Sequence, residues 1–364
     1  MLNSFTFSQF NLPKRKPWKE PNYELCPDFD LDFDDNTYIY DIFYNNYNLY
    51  IIMPYWGSHT NSWDAVDQLK SNLLIGNKSI NELPHKLINS WGTVLIFIVQ
   101  CNFSDNFSLN SIPFIPKDYT NKTDKQKIIL YTLQKNNKVD WIKDYINFYI
   151  EKFAIDTAII YDNNSSYYSP IELSNSLSNL RVPVIVHSMP FKYGPRGYGS
   201  NDWSSLYLQT ACLEHIRYSY ASNTSILINA DIDELIYLSN SLSLEQHLAT
   251  SNTGALKIPG FWCHPKINFI DYDHILHSDH IISENSIGRM GNKYICDLSK
   301  MDERHLLRVH DILDIKKNGS ALEVLDYSIG RFYHFSSLSR STRVIEYNDN
   351  ISLENFNYNN FQII

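Results

Sequence analysis

Ser225-Ile226-Leu227-Ile228-Asn229-Ala230-Asp231-Ile232-Asp233-Glu234 runs from a short apolar stretch into three carboxylates. Ile226 to Ile228 reads as a buried strand. If the strand continues, its period of two puts Asp231 and Asp233 on one side and Ile232 on the other. Two crowded carboxylates repel unless a cation neutralises them or one holds a proton. A divalent ion is the simplest relief, and oxygen ligands suit Mg²⁺ or Mn²⁺. In open α/β sheets, ligands bind beyond the carboxyl ends of the strands, where these acids fall. A solvated acidic turn is the competing explanation, and an isolated Asp-x-Asp is too common to decide between them.

Upstream of the acids, strands alternate with helices. Ile128 to Leu133 is a strand. Asp140 to Phe153 is a helix, because Trp141, Ile142, Tyr145, Ile146, Tyr149 and Phe153 form one apolar stripe. Thr157 to Tyr161 is a strand that ends in Asp162-Asn163-Asn164-Ser165-Ser166. Ile171 to Leu180 is a helix, Val182 to Val186 a strand, and Asp202 to Tyr220 a longer helix. Together with Ser225 to Ala230, this pattern implies right-handed crossovers and a mostly parallel, Rossmann-like sheet with helices on both faces.

The flanks differ. Pro13, Pro17, Pro21 and Pro27 break any helix near the start. Asp28 to Asp35 alternates acid with apolar residues, as a half-exposed strand or an acidic loop does. Tyr38 to Tyr44 and Leu49 to Tyr55 flank Asn45-Asn46-Tyr47-Asn48 and form a hairpin, since Asn tolerates left-handed turn positions. Thr93 to Cys101 is a further strand. Residues 1–120 thus read as a β-rich accessory region, 121–346 as the α/β domain and 347–364 as a tail. Trp56 and Trp63 are expected in the core rather than against a sugar ring. Past the acids, Ser243-Leu244-Glu245-Gln246 is a capping box opening a short helix. Ala255 to Trp262 is a strand. His264, His274, His277 and His280 fit no zinc spacing and read as loop histidines. Tyr193 to Gly199 matches neither the dinucleotide nor the P-loop pattern and reads as a flexible loop.

A chain of 364 residues is ample for a buried core. The net charge of -9 argues against non-specific nucleic-acid binding. The five cysteines include no Cys-x-x-Cys pair and are odd in number, which points to buried thiols in a reducing, cytoplasmic setting. No apolar run approaches the length of a membrane span. The cluster Lys14, Arg15, Lys16 and Lys19 allows peripheral contact with anionic lipid at most.

Four blocks, taken in order, carry a resemblance. The first is Leu133-Gln134-Lys135-Asn136-Asn137 with the helix opening Asp140-Trp141. The second is Ile159-Ile160-Tyr161-Asp162-Asn163-Asn164-Ser165. The third is Gln209 through Ala230-Asp231-Ile232-Asp233-Glu234-Leu235-Ile236. The fourth is Lys293-Tyr294-Ile295, then His310, then Tyr333-His334-Phe335 and Ser339. In order and spacing they resemble glycosyltransferase family 92, within the family 2-like GT-A glycosyltransferases. Asn137 stands where that family has glutamate, and Leu235 where it has phenylalanine.

The resemblance implies the GT-A fold and inverting sugar transfer from a nucleotide-sugar donor, a UDP-sugar being favoured. The acceptor is a glycan or lipid-linked hydroxyl. A metal held by Asp231 and Asp233 would bridge the donor phosphates and stabilise their charge. His334 falls where related GT-A enzymes return a ligand to the metal, with His310 as the runner-up. Asp162, Lys135 and Asn136, after the second and first strands, are expected at the nucleotide. Lys293 or Arg289 is expected on the phosphates. Attack by an acceptor hydroxyl needs a carboxylate base, for which Glu234, Asp302, Glu303 and Asp311 are the candidates. The same acids would also serve a metal-dependent nucleotidyl- or phosphotransferase, and a non-catalytic carbohydrate-binding relic is the other alternative.

Overall fold

The structure is a computed structural model that describes residues 2–14, 29–55, 62–90, 94–120, 128–194, 207–221, 225–239, 242–265, 276–282, 292–317, 319–326, 328–335 and 338. The alternation read from the sequence is present. β1 (Ile128–Gln134), α1 (Val139–Phe153), β2 (Thr157–Asp162), α2 (Pro170–Ser176), β3 (Val184–Ser188), α3 (Tyr207–Ser219) and β4 (Ile226–Asn229) follow in order. The apolar stripe of α1 is buried as expected: Trp141, Ile142, Tyr145, Ile146, Tyr149 and Phe153 all face the sheet. The helix stops at Ala154, whose left-handed backbone lets its N–H close onto Ile150.

Beyond the acids come β5 (Glu234–Leu238), β6 (Ala255–Ile258), β7 (Gly260–Pro265), β8 (His280–Ile282), β9 (Lys293–Asp297), β10 (Glu323–Val324) and β11 (Gly330–Phe335). They complete two sheets. The central one has seven strands in the order β3-β2-β1-β4-β9-β6-β10. β1 to β4 run parallel, and β9 is antiparallel to both its neighbours. The smaller sheet has the order β5-β11-β7-β8. Alternate residues of β1 point to opposite faces. Ile129, Tyr131 and Leu133 pack with α3, whereas Ile128 and Leu130 pack with α1. Helices therefore cover both faces of the central sheet.

The N-terminal region is β-rich. Its five-stranded sheet runs Lys117–Asp118, Asp41–Asn45, Asn48–Pro54, Val94–Gln100, His85–Ser90. The hairpin is there, and Asn46 and Tyr47 both take left-handed backbone at its tip. This sheet lies against α3. The Tyr50 and Tyr218 rings stack at 5.0 Å, and Asn45 Nδ2 donates to the Tyr218 carbonyl at 2.8 Å. His215 on α3 bridges the two regions, with Nε2 3.0 Å from Asp41 Oδ2 and Nδ1 2.6 Å from the Tyr161 hydroxyl of β2. All three side chains are buried. One continuous core joins the N-terminal sheet, α3 and the central sheet.

Several local expectations are corrected. The alternating acidic stretch is neither strand nor loop at its start but a one-turn helix, Phe29–Asp32. Phe29 and Phe33, one turn apart, stack at 5.8 Å, and alternation cannot be told from four-residue spacing over so short a run. The helix begun near Ile171 ends at Ser176, and the next strand starts only at Val184, after Pro183. The strand expected over Ala255 to Trp262 is two strands in different sheets. Pro259 separates them because it has no N–H for a ladder. Trp63 is 43 % exposed on a helix rather than in the core. Trp56, Arg289, His274 and Gly197 lie outside the described residues. Cys101, Cys212 and Cys296 are free thiols. No helix among the described residues is long and apolar enough to cross a membrane.

Candidate active site

Register brings the chemistry together at one edge of the central sheet. Gln134 of β1 pairs with Asp162 of β2, and Asp162 with Ser188 of β3, so these strands end level. The acids lie just past the end of β4 at the same edge. β9 runs the other way, so its first residue, Lys293, also lies there, beside Tyr294 paired to Asn229.

The strand does not continue through the acids, as the period-of-two reading required. Residues 231–233 form a turn closed by the Glu234 N–H on the Asp231 carbonyl at 3.0 Å. Asp231 and Asp233 consequently part company. Asp231 Oδ2 sits 2.7 Å from Lys293 Nζ. Asp233 Oδ2 faces His334 Nε2 at 3.5 Å. Glu234 is shared: Oε2 lies 3.0 Å from Lys293 Nζ, and Oε1 lies 3.4 Å from His334 Nδ1. The reason His334 arrives is plain in the smaller sheet. Glu234 and His334, 100 residues apart, are directly opposed partners of antiparallel β5 and β11. Trp262 on β7 stands opposite His334 on its other side, ring to ring at 4.5 Å.

Charge and burial tune each group. Burial alone favours a neutral lysine, but Asp231 and Glu234 outweigh it and raise the Lys293 ammonium above its ordinary range. Burial would also raise the Glu234 carboxyl, yet Lys293 and His334 prevail and hold it down at about 2. Burial dominates at Asp233 and pushes its carboxyl up, with His334 opposing. His334 is raised to about 9, because the Asp233 and Glu234 carboxylates outweigh the burial of its ring.

One oxygen each from Asp233 and Glu234 and one ring nitrogen of His334 lie within 4.8 Å of one another. Adjacent ligands of one ion sit roughly 3 Å apart when metal–ligand bonds are about 2.1 Å. The 3.5 Å contact to Asp233 uses Nε2 and the 3.4 Å contact to Glu234 uses Nδ1, so an ion held by one ring nitrogen would draw the three groups together from within 4.8 Å. The donor set, two carboxylates and an imidazole, fits Mn²⁺ and, with less preference for nitrogen, Mg²⁺. The third member of this group is Glu234, while the Asp231 carboxylate is turned to Lys293.

The candidate bases lie in different surroundings. Glu234 is buried, paired with both Lys293 and His334, and held acidic by them. Asp302 lies beyond the opposite end of β9, where Leu298 N–H reaches the Ser225 carbonyl before β4 begins. It is the turn acceptor for Arg304 N–H at 3.1 Å, and its neighbour Glu303 pairs with Lys86 of the N-terminal sheet at 2.7 Å. Asp311 is nearer the acid edge, but one oxygen accepts from Ser320 Oγ at 2.6 Å and the other lies 3.5 Å from Lys257 Nζ. His310 is anchored through Nδ1 to the Asn292 carbonyl at 3.0 Å. Crowding, and after it the Lys293 ammonium, pushes its imidazole below the ordinary value even though the ring reaches solvent.

Asp162 is buried, and its carboxylate shapes its own loop. It accepts from Gln134 Nε2, from Ser165 Oγ at 2.5 Å and from Ser165 N–H at 3.1 Å. Asn136, with left-handed backbone, accepts from Ser166 N–H at 2.7 Å. These bonds knit the loops after β1 and β2 together, and Lys135 projects from them into solvent. His277, read from sequence as a loop histidine, is buried beneath the acid turn, with Nε2 2.8 Å from the Ile232 carbonyl. Its irregular surroundings carry no periodic signal that would have marked it.

The sequence model of glycosyltransferase family 92 matches residues 119–363, more than half of the chain. Among solved structures, GalNAc-T7 with UDP, GalNAc and Mn²⁺ is similar at 9% identity and a TM-score of 0.35, covering 60% of this chain and 45% of that one. The apo structure of the bifunctional glycosyltransferase WbbM is similar at 11% identity and a TM-score of 0.28, covering 56% of this chain and 36% of that one. The chain thus spans less than half the length of either. No curated protein matches the sequence.

Proposed function

Since the chain belongs to glycosyltransferase family 92, we propose that it moves a sugar from a nucleotide-sugar donor to a hydroxyl group on a GT-A fold. A UDP-sugar is the favoured donor, a glycan or lipid-linked hydroxyl the acceptor, and inversion the outcome. The observation that carries this reading is the β5–β11 pairing, which sets His334 beside Asp233 and Glu234. These three residues would hold Mn²⁺ or Mg²⁺. When bound, the ion supplies Lewis-acid stabilisation of the donor diphosphate as the leaving group departs.

The chain's own residues prepare that place. Lys293 fixes Asp231 and one oxygen of Glu234, so its role shifts from phosphate contact to buried counter-ion. Asp162 acts on the nucleotide through the loop it shapes, and Lys135 and Asn136 present that loop to the donor. The free thiols of Cys101, Cys212 and Cys296 suit a reducing, cytoplasmic setting.

Incubation with a panel of UDP-sugars, with Mn²⁺ or with EDTA, tests the proposal. Free UDP released only with the metal is expected. Release of pyrophosphate instead would favour nucleotidyl transfer, and full activity in EDTA would contradict the metal role.

A further inference from the structure

The turn bearing the acids is held at every carbonyl from Ala230 to Glu234. The Tyr145 hydroxyl donates to Ala230 at 2.8 Å, and the Tyr149 hydroxyl to Glu234 at 3.1 Å. The Glu234 N–H closes on Asp231 at 3.0 Å, and the Phe335 N–H donates to Asp233 at 2.8 Å. The middle carbonyl, that of Ile232, is taken by His277 Nε2 at 2.8 Å.

That central bond differs from the others. It is the one made by an imidazole, and it holds the Ile232–Asp233 peptide, between the two aspartates. Rotation of this peptide would swing Asp233 away from His334. The other ring nitrogen, Nδ1, lies 2.6 Å from Asp144 Oδ2 on α1. The ring is 3 % exposed and meets Phe335, the residue after His334, edge-on at 4.9 Å. Both ring nitrogens face acceptor oxygens, so the imidazole is fixed from two sides. A phenylalanine or leucine would fill the same space but leave the Ile232 carbonyl buried without this donor.

We propose that His277, oriented by Asp144, is a positioning residue for the acid turn. Through the Ile232 carbonyl it sets the direction in which Asp233 presents its carboxylate to the ion. The inference rests on the metal reading above. Partners that orient metal ligands from behind typically change affinity by about 10- to 100-fold when removed.

The test compares Mn²⁺ affinity, by titration calorimetry, in the full chain and in His277→Ala, Asp144→Ala and the double variant. Ser243→Ala, which removes the cap where Ser243 accepts from Gln246 N–H, is the control for destabilisation alone. The expected result is a rise in the Mn²⁺ dissociation constant of about tenfold or more in both alanine variants. The double variant should be no weaker than the worse single one, because both residues act through one carbonyl. Ser243→Ala should melt earlier yet bind Mn²⁺ as before. Lower melting temperatures in the His277 and Asp144 variants with unchanged Mn²⁺ affinity would overturn the inference and leave the metal reading standing. A wild-type chain that binds no Mn²⁺ would overturn both. Should His277→Ala fail to fold, Asp144→Ala decides, since the Asp144 carboxylate is 42 % exposed: a rise of about tenfold in its Mn²⁺ dissociation constant supports the inference and an unchanged one overturns it.

Discussion

Lys293 Nζ lies 2.7 Å from Asp231 Oδ2 while none of the lysine side chain is exposed. A buried ammonium in that position sorts the acids. It occupies Asp231 and one oxygen of Glu234, and leaves the other Glu234 oxygen facing His334 and Asp233. The three carboxylates are thereby split between the Lys293 ammonium and the His334 imidazole.

Lys293→Met keeps the volume and removes the charge. Breaking one side of a buried ion pair costs about 3–5 kcal/mol, because the remaining charges lose their partner. The denaturation midpoint of the variant should fall accordingly. A variant as stable as wild type would mean that Asp231 and Glu234 do not depend on Lys293.

Asp233→Asn and His334→Ala should each lower metal-dependent transfer on the order of 10²-fold or more, while the protein remains folded. Asp231→Asn should weaken Mn²⁺ binding less than either, since its carboxylate points to Lys293. Steady-state rates and Mn²⁺ titrations of the three variants check the ranking. An Asp231 variant with the largest loss of Mn²⁺ affinity would reverse the assignment.

Asp162→Ala removes an acceptor used by Gln134 Nε2 and by both the hydroxyl and the N–H of Ser165. Leaving such groups unpaired costs about 1–3 kcal/mol. Stability should drop, and nucleotide affinity should drop more than acceptor affinity as the loop loosens. Unchanged stability together with an unchanged nucleotide dissociation constant would remove Asp162 from both roles.

A fragment beginning at residue 121 should not fold. Without the N-terminal sheet, α3 loses the Asp41 partner of His215 and the Tyr50 ring stacked on Tyr218. Its apolar residues would then face water across a surface the central sheet cannot cover. Circular dichroism and size-exclusion chromatography decide this; a monomeric, cooperatively melting fragment would show that the first 120 residues are dispensable for the fold.

What the sequence made legible was what local pattern encodes. The stripe from Trp141 to Phe153 marks α1 because six apolar side chains share a helical face. Ser243 and Gln246 mark the next helix because the capping box is a short-range device. The resemblance singles out His334 but not its route to the acids, since register between strands 100 residues apart leaves no local trace. The split at Pro259 shows the same limit. Ala255 to Trp262 is apolar apart from Lys257, and only the tertiary fold reveals that the halves on either side of Pro259 serve different sheets. Lys293 was expected on phosphate because a lone lysine gives no sign of burial. Its true neighbours follow from β9 running against β4. His277 carries no local mark for a related reason: its partners, Asp144 and Ile232, are distant in sequence and one is a backbone carbonyl.

The most direct measurement is anomalous scattering from a crystal grown with Mn²⁺ and UDP. The expected result is one strong peak between Asp233, Glu234 and His334, with bonds of roughly 2.2 Å and Lys293 still on Asp231. A peak bound by Asp231 and Asp233 with the His334 ring turned away, or no peak at a saturating Mn²⁺ concentration, would contradict it.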